Sequence, residues 1–119
     1  MTRNGWNATR RGPLRDEIAG YWNELAALAA AISPAALAEA AALLLETQAH
    51  GGAVLLAGNG GSAATASHIA CDLAKGTRDG GPPTFRVIAL TDNVPLMTAW
   101  ANDTDYARVF AEQVRSLAQ

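Results

Sequence analysis

The chain has 119 residues, half of them apolar, and 9 Lys+Arg against 11 Asp+Glu leave a net charge of −2. That length suits one domain, and the mild acidity argues against nucleic acid as the main ligand, because phosphate-backbone binders carry a basic excess. A single cysteine, Cys71, excludes an intramolecular disulfide framework, and no apolar run approaches the ~20 residues of a membrane span, so a cytoplasmic protein without a membrane partner is expected.

Residues 1–12 are polar and aperiodic. Arg3, Arg10 and Arg11 are followed by no apolar h-region, so this is not a secretory signal. The segment reads as a flexible tail, with Trp6 as its one residue suited to docking.

Residues 13–50 read as a helical hairpin. Leu14, Ile18, Tyr21, Trp22, Leu25, Leu28, Ala29 and Ile32 recur at helical spacing. Ser33-Pro34 ends this helix and starts another, serine as N-cap and proline at the first helical position. The second helix carries Leu37, Ala41, Leu44, Leu45 and Gln48 on one side and stops at Gly51-Gly52. A tight link between two helices makes an antiparallel pair.

Residues 51–119 read as a β-α-β-α-α segment. The apolar run 53–57 predicts a parallel strand buried on both faces. A Gly-Asn-Gly-Gly-Ser loop (58–62) follows, then a helix over about 63–75 with Ala66, Ile69, Ala70 and Leu73 on its apolar face. The run 76–83, GTRDGGPP, is turn-rich. A second strand is expected over 85–90, closed by Thr91-Asp92-Asn93. A short helix over 94–101 follows, and then one over 106–117 with Tyr106, Val109, Phe110, Val114 and Leu117 inward. The order α-α-β-α-β-α-α indicates an α/β layer fold. Two parallel strands make a poor core by themselves, so the chain is expected to belong to a larger domain or to associate.

The strand–loop–helix unit carries the chemistry. Glycines allow a sharp turn and close approach of a ligand. A helix N-terminus offers unpaired N–H groups and a positive dipole end. With Ser62 placed as a cap, Asn59, Gly60, Gly61 and Ser62 form a candidate phosphate or carboxylate site; a purely structural turn with a cap is the alternative. The loop also satisfies G-x-G-x-x-A, a weak dinucleotide fingerprint, with Asp92 as the ribose-binding acid although it falls later than the usual spacing. It lacks the Lys-Ser/Thr ending of a P-loop, which argues against ATP hydrolysis.

His68 and Asp72 are four residues apart and project from one helix face. An imidazole and a carboxylate so placed can share a divalent metal or move protons at a sugar carbonyl. A solvated pair, with Asp72 held by a neighbour such as Lys75, is the alternative. Cys71 reads as a small packing residue and not as a nucleophile, since no base lies beside it in sequence.

Four stretches together resemble the sugar isomerase (SIS) domain family: GGAVLLAGNGGS (51–62), ASHIACDL (66–73), IALTDN (88–93) and AND (101–103). Within the family the phosphoheptose isomerase branch is the most similar. The resemblance covers about residues 14–119 and implies a three-layer α/β fold of flavodoxin-like type, a five-stranded parallel sheet between helices, present here in part and preceded by the helical hairpin. It also implies a homotetramer with the helix pair between subunits, and a sugar phosphate, sedoheptulose 7-phosphate, as substrate. By resemblance Asn59 and Ser62 contact sugar and phosphate, Asp92 lies at the rim, and His68 with Asp72 binds zinc in some members. Asp72 matches a catalytic base that is normally glutamate; one methylene less sets its carboxylate about 1 Å back, a displacement that can cost ~100-fold in rate.

The family's second, Ser/Thr-rich phosphate loop and its later catalytic histidine have no counterpart in these residues, so isomerase activity is not expected from them alone. Two other functions stay open: a non-catalytic SIS regulatory module, such as one that associates with a replication initiator, and a Rossmann-type nucleotide-binding fragment.

Overall fold

The computed structural model describes residues 11–78, 80 and 84–118. Most of the expected tail, Trp6 included, and part of the 76–83 loop lie outside them. The elements follow the expected order: α1 (Arg11–Ala31), α2 (Pro34–Ala49), β1 (Ala53–Leu56), α3 (Gly61–Cys71), β2 (Arg86–Ala89), α4 (Val94–Asp103) and α5 (Val109–Leu117). The chain divides into two units, Met1–Ala40 and Ala41–Gln119.

In the first unit α1 starts at Arg11, two residues before the expected boundary. It ends at the expected break, where the Ser33 hydroxyl accepts from the Ala36 N–H at 3.3 Å and the Ser33 carbonyl from the Leu37 N–H at 3.1 Å. Serine therefore caps α2 and Pro34 opens it, because proline has no N–H to leave unpaired there. The apolar stripe of α1 is open to solvent, with Trp22 60% and Leu28 67% exposed. The Tyr21 and Trp22 rings meet edge to face at 5.6 Å. No single helix among the described residues is long and apolar enough to cross a membrane.

The second unit is built on two parallel strands in register, Ala53 opposite Arg86 through Leu56 opposite Ala89. The Leu90 N–H extends the pairing to the Leu56 carbonyl at 2.8 Å. Parallel neighbours need a crossover, and α3 with the loop after it supplies one, lying against both strands. The core holds Ala66 of α3, Phe85, Ala89 and Leu90 around β2, and Val109 of α5, which is 1% exposed. Polar groups inside are satisfied: Gln113 donates through Nε2 to the Val109 carbonyl at 2.9 Å.

Three expectations need correction. β1 is only part-buried along its length, and on β2 Arg86 and Ile88 are exposed while Ala89 is buried. Side chains alternate across a strand, so β2 is covered on one face and open on the other, whereas β1 is evenly part-buried among the described residues. The 106–117 stretch opens as a 3₁₀ turn (Tyr106–Arg108) before α5. Of its expected inward residues only Val109 is deeply buried; Tyr106, Val114 and Leu117 are exposed, and Gln113 takes the second buried place. Finally, α3 starts earlier than expected, at Gly61, and widens after Cys71 into a π-helical turn (Asp72–Gly76). Cys71, at the end of α3, is exposed instead of packed.

Candidate functional site

The loop 58–62 lies at the C-terminal end of β1, and Asp92 follows the adjacent end of β2. Because the strands are parallel neighbours, these two ends lie at one edge of the sheet. Ligands of open α/β sheets bind at that edge.

Two glycines shape the loop. A Cβ on Gly58 would meet the Ser62 carbonyl group at 2.6 Å, so only glycine lets the strand end pack against the first turn of α3. Gly60 has φ 56°, in the left-handed region, which side chains disfavour. Gly60, and not Ser62, is the residue that precedes α3, and no side chain caps this end. Ser62 lies one residue inside the helix. The expected cap is thus a correction with chemical consequences: the Ser62 hydroxyl is exposed and makes no protein hydrogen bond among the described residues.

The backbone donors divide in the same way. The Ser62 N–H bonds the Asn59 carbonyl at 3.0 Å, and the Ala63 N–H bonds the Gly60 carbonyl at 3.1 Å. The N–H groups of Gly60 and Gly61 have no such acceptor among the described residues. Two backbone donors, a hydroxyl and the positive end of α3 therefore stand together at the start of the helix. This set suits an oxyanion.

Asn59 is exposed, and its Oδ1 accepts a hydrogen bond of 2.7 Å from the Tyr106 hydroxyl. Asp92 is held by Ser67, whose Oγ donates to Oδ1 at 2.5 Å. Ser67 was not singled out from sequence, and Tyr106 was read there only as an inward packing residue, not as part of the site. Ser67 lies inside the ASHIACDL stretch and carries a hydroxyl beside His68, which was a usable signal. Tyr106 is 47 residues from Asn59, and nothing local in sequence links them.

His68 and Asp72 do meet: Nε2 lies 3.2 Å from Oδ2, with the side chains 77% and 67% exposed. The partner of Asp72 is therefore His68, not Lys75. At that exposure the pair contributes only a few tenths of a kcal/mol to stability. Its donor separation is close to the ~3.3 Å edge expected of a tetrahedral zinc with bonds of ~2.0–2.1 Å. The two residues fit half of such a site. Among the described residues no group of three or more His, Cys, Asp or Glu side chains gathers to complete it. The structure joins Asn59 to Tyr106, Asp92 to Ser67 and His68 to Asp72, and it records no direct bond between these pairs.

The family model of the SIS domain matches residues 20–119. The chain belongs to the SIS domain family, and the dinucleotide reading of the 58–63 fingerprint gives way to that match. Within the family it is a phosphoheptose isomerase-like domain. It is 38% identical over 111 residues to a phosphoheptose isomerase of Thiobacillus denitrificans, covering 90% of this chain and 55% of the relative. It is 45% identical over 86 residues to the lincomycin biosynthesis protein LmbN of Streptomyces lincolnensis, covering 72% of this chain and 31% of that protein. The fold matches the solved structure of a phosphoheptose isomerase from Francisella tularensis with TM-score 0.77 at 33% identity, over 87% of this chain and 56% of the other. The chain thus spans about half the length of the phosphoheptose isomerases it matches.

Proposed function

We propose that the 58–62 loop binds a phosphosugar, with sedoheptulose 7-phosphate as the representative ligand, and that this segment serves aldose–ketose isomerisation in a phosphoheptose isomerase-like protein. One observation carries the reading: the Gly60 and Gly61 N–H groups and the Ser62 hydroxyl lie together at the start of α3 without protein partners among the described residues. They take the phosphate, and Asn59 and Asp92 face the sugar. Isomerisation moves a proton between C1 and C2 through an enediol: a base takes a proton from carbon C1 as the C2 carbonyl oxygen gains one, and then the C1 hydroxyl gives up its proton as carbon C2 gains one, which leaves the carbonyl at C1. Asp72 is the candidate base. A zinc ion, where bound, would be held by His68 and Asp72 together with ligands from outside the described residues, and would supply Lewis-acid polarisation of the carbonyl. A soluble cytoplasmic homotetramer, with α1 and α2 paired at subunit contacts, completes the reading. Its support is the uncovered stripe of α1, since a monomer rarely exposes large apolar patches.

A second reading is a non-catalytic phosphosugar-binding module. It is favoured by Asp72, whose short carboxylate is turned onto His68. Calorimetric titration with sedoheptulose 7-phosphate and with NAD tests the proposal. Binding of the sugar phosphate alone supports it; binding of NAD alone refutes it. Isomerase turnover in a protein carrying the rest of the domain separates enzyme from module.

A further inference from the structure

Asn59 stands at the tip of the loop between two glycines whose geometry is fixed, one by close contact with Ser62 and one by its left-handed φ of 56°. The backbone around it is settled, and the remaining freedom is the rotation of its carboxamide. That group has an acceptor end, Oδ1, and a donor end, Nδ2 with two N–H bonds. Left free in water, either end can face a ligand.

We propose that Tyr106 is a positioning residue that holds the carboxamide in one orientation. Its hydroxyl donates to Oδ1 at 2.7 Å. With the acceptor end occupied, Nδ2 is the end left for a ligand, and it has no protein partner among the described residues. A pair of N–H donors beside an oxyanion site selects a ligand that carries acceptor oxygens next to its phosphate: the carbonyl and hydroxyl oxygens of a polyhydroxylated chain. The backbone donors of Gly60 and Gly61 accept any phosphate; the fixed amide adds preference for the sugar part. This inference rests on the phosphosugar reading of the loop and names the group that sets its selectivity.

The turn that carries the tyrosine is well held, while the tyrosine itself is 55% exposed. The Asp105 carboxylate caps its turn, accepting from the Ala107 N–H at 2.8 Å, and the Asp105 carbonyl accepts from the Arg108 N–H at 3.0 Å. Val109, three residues on, is anchored in the core at 1% exposure. The ring lines, with Ala63, Met97 and Ala101, an apolar cavity of about 220 Å³ beside the loop. Ring position thus depends on the turn and the cavity, and amide orientation on the hydroxyl. Tyr106→Phe removes the second while keeping the first.

The test compares the wild-type chain with Tyr106→Phe, Asn59→Ala and the double variant. Nitrogen-15 relaxation of the Asn59 side-chain NH₂ group reads amide order in the free protein. Calorimetry reads affinity for sedoheptulose 7-phosphate and for inorganic phosphate. In Tyr106→Phe the amide becomes more mobile, and the ratio of sugar-phosphate to phosphate affinity falls by about five- to tenfold, the scale of one net hydrogen bond. In the Asn59→Ala background Tyr106→Phe changes that ratio no further, because both act through one group. An unchanged ratio overturns the inference, as does an equal fall in both backgrounds. If the wild-type chain binds neither ligand, the phosphosugar reading fails, and relaxation alone decides the rest: an Asn59 amide equally ordered in both proteins removes the positioning role.

Discussion

Ser67 Oγ donates to Asp92 Oδ1 at 2.5 Å, across 25 residues of sequence. The bond ties α3, which begins at the glycine loop, to the turn that ends β2. It therefore holds one oxygen of the Asp92 carboxylate, and under the proposed function the other faces the sugar. A hydrogen bond to a charged group contributes about 1.5–3 kcal/mol at most, and less where water competes. Ser67→Ala is expected to cost about 1 kcal/mol or less of stability in urea denaturation while weakening sugar-phosphate binding through a less ordered Asp92. A variant with wild-type affinity would show that the Asp92 orientation is irrelevant to the ligand.

Ser62 lies inside α3 and caps nothing, so its removal leaves the helix intact. Ser62→Ala should reduce sugar-phosphate affinity by ~1–3 kcal/mol, the scale of a charge-assisted hydrogen bond. Circular dichroism should show unchanged helix content. Lost helix content with unchanged affinity, measured side by side, would return Ser62 to a structural role.

Much of this was legible in the sequence, for physical reasons that differ by residue. Ser33-Pro34 marked the α1–α2 break because a cap and a proline act locally. The glycine loop was readable because strand, glycines and helix are consecutive. The strand pair followed from two short apolar runs and a crossover. What failed was set by distant packing. Ser62 looked like a cap because serine often is one; the close approach of Gly58 to Ser62 and the left-handed Gly60 moved the helix start upstream. Cys71 looked like a small packing residue, and the fold leaves it exposed. Tyr106 looked like an inward apolar residue, and its polar end found Asn59 only through the fold.

Trp22, Leu25 and Leu28 form an uncovered stripe on α1. Replacing Trp22 and Leu28 by serine should shift the protein from an oligomer towards a monomer in sedimentation velocity. The wild-type chain sedimenting as a monodisperse monomer at micromolar concentration would rule out assembly through this face.

Leu90 is 2% exposed in a core of few residues. Leu90→Ala should destabilise the second unit by about 2–4 kcal/mol, the range for emptying a buried leucine site. The check is the urea midpoint at unchanged slope; a loss below about 0.5 kcal/mol would mean that Leu90 is solvated in solution.

Under the proposed function His68 and Asp72 are two of the four ligands of a zinc ion, and a two-ligand site leaves much of the tetrahedral shell to water. Calorimetry should find weak zinc binding that His68→Ala or Asp72→Asn abolishes. Tight binding that survives both substitutions would place the metal elsewhere. In a protein carrying the rest of the domain, Asp72→Glu should keep or raise turnover by restoring reach and Asp72→Asn should abolish it; full activity of Asp72→Asn would remove the acid–base role.

The central claim is that the loop after β1 receives a phosphosugar, and amide chemical-shift mapping tests it most directly. Titration of the nitrogen-15-labelled chain with sedoheptulose 7-phosphate should move the backbone resonances of Asn59, Gly60, Gly61 and Ser62 first and furthest, with the Asn59 side-chain amide following. Saturable shifts confined to other residues, or none at millimolar ligand, would contradict the account.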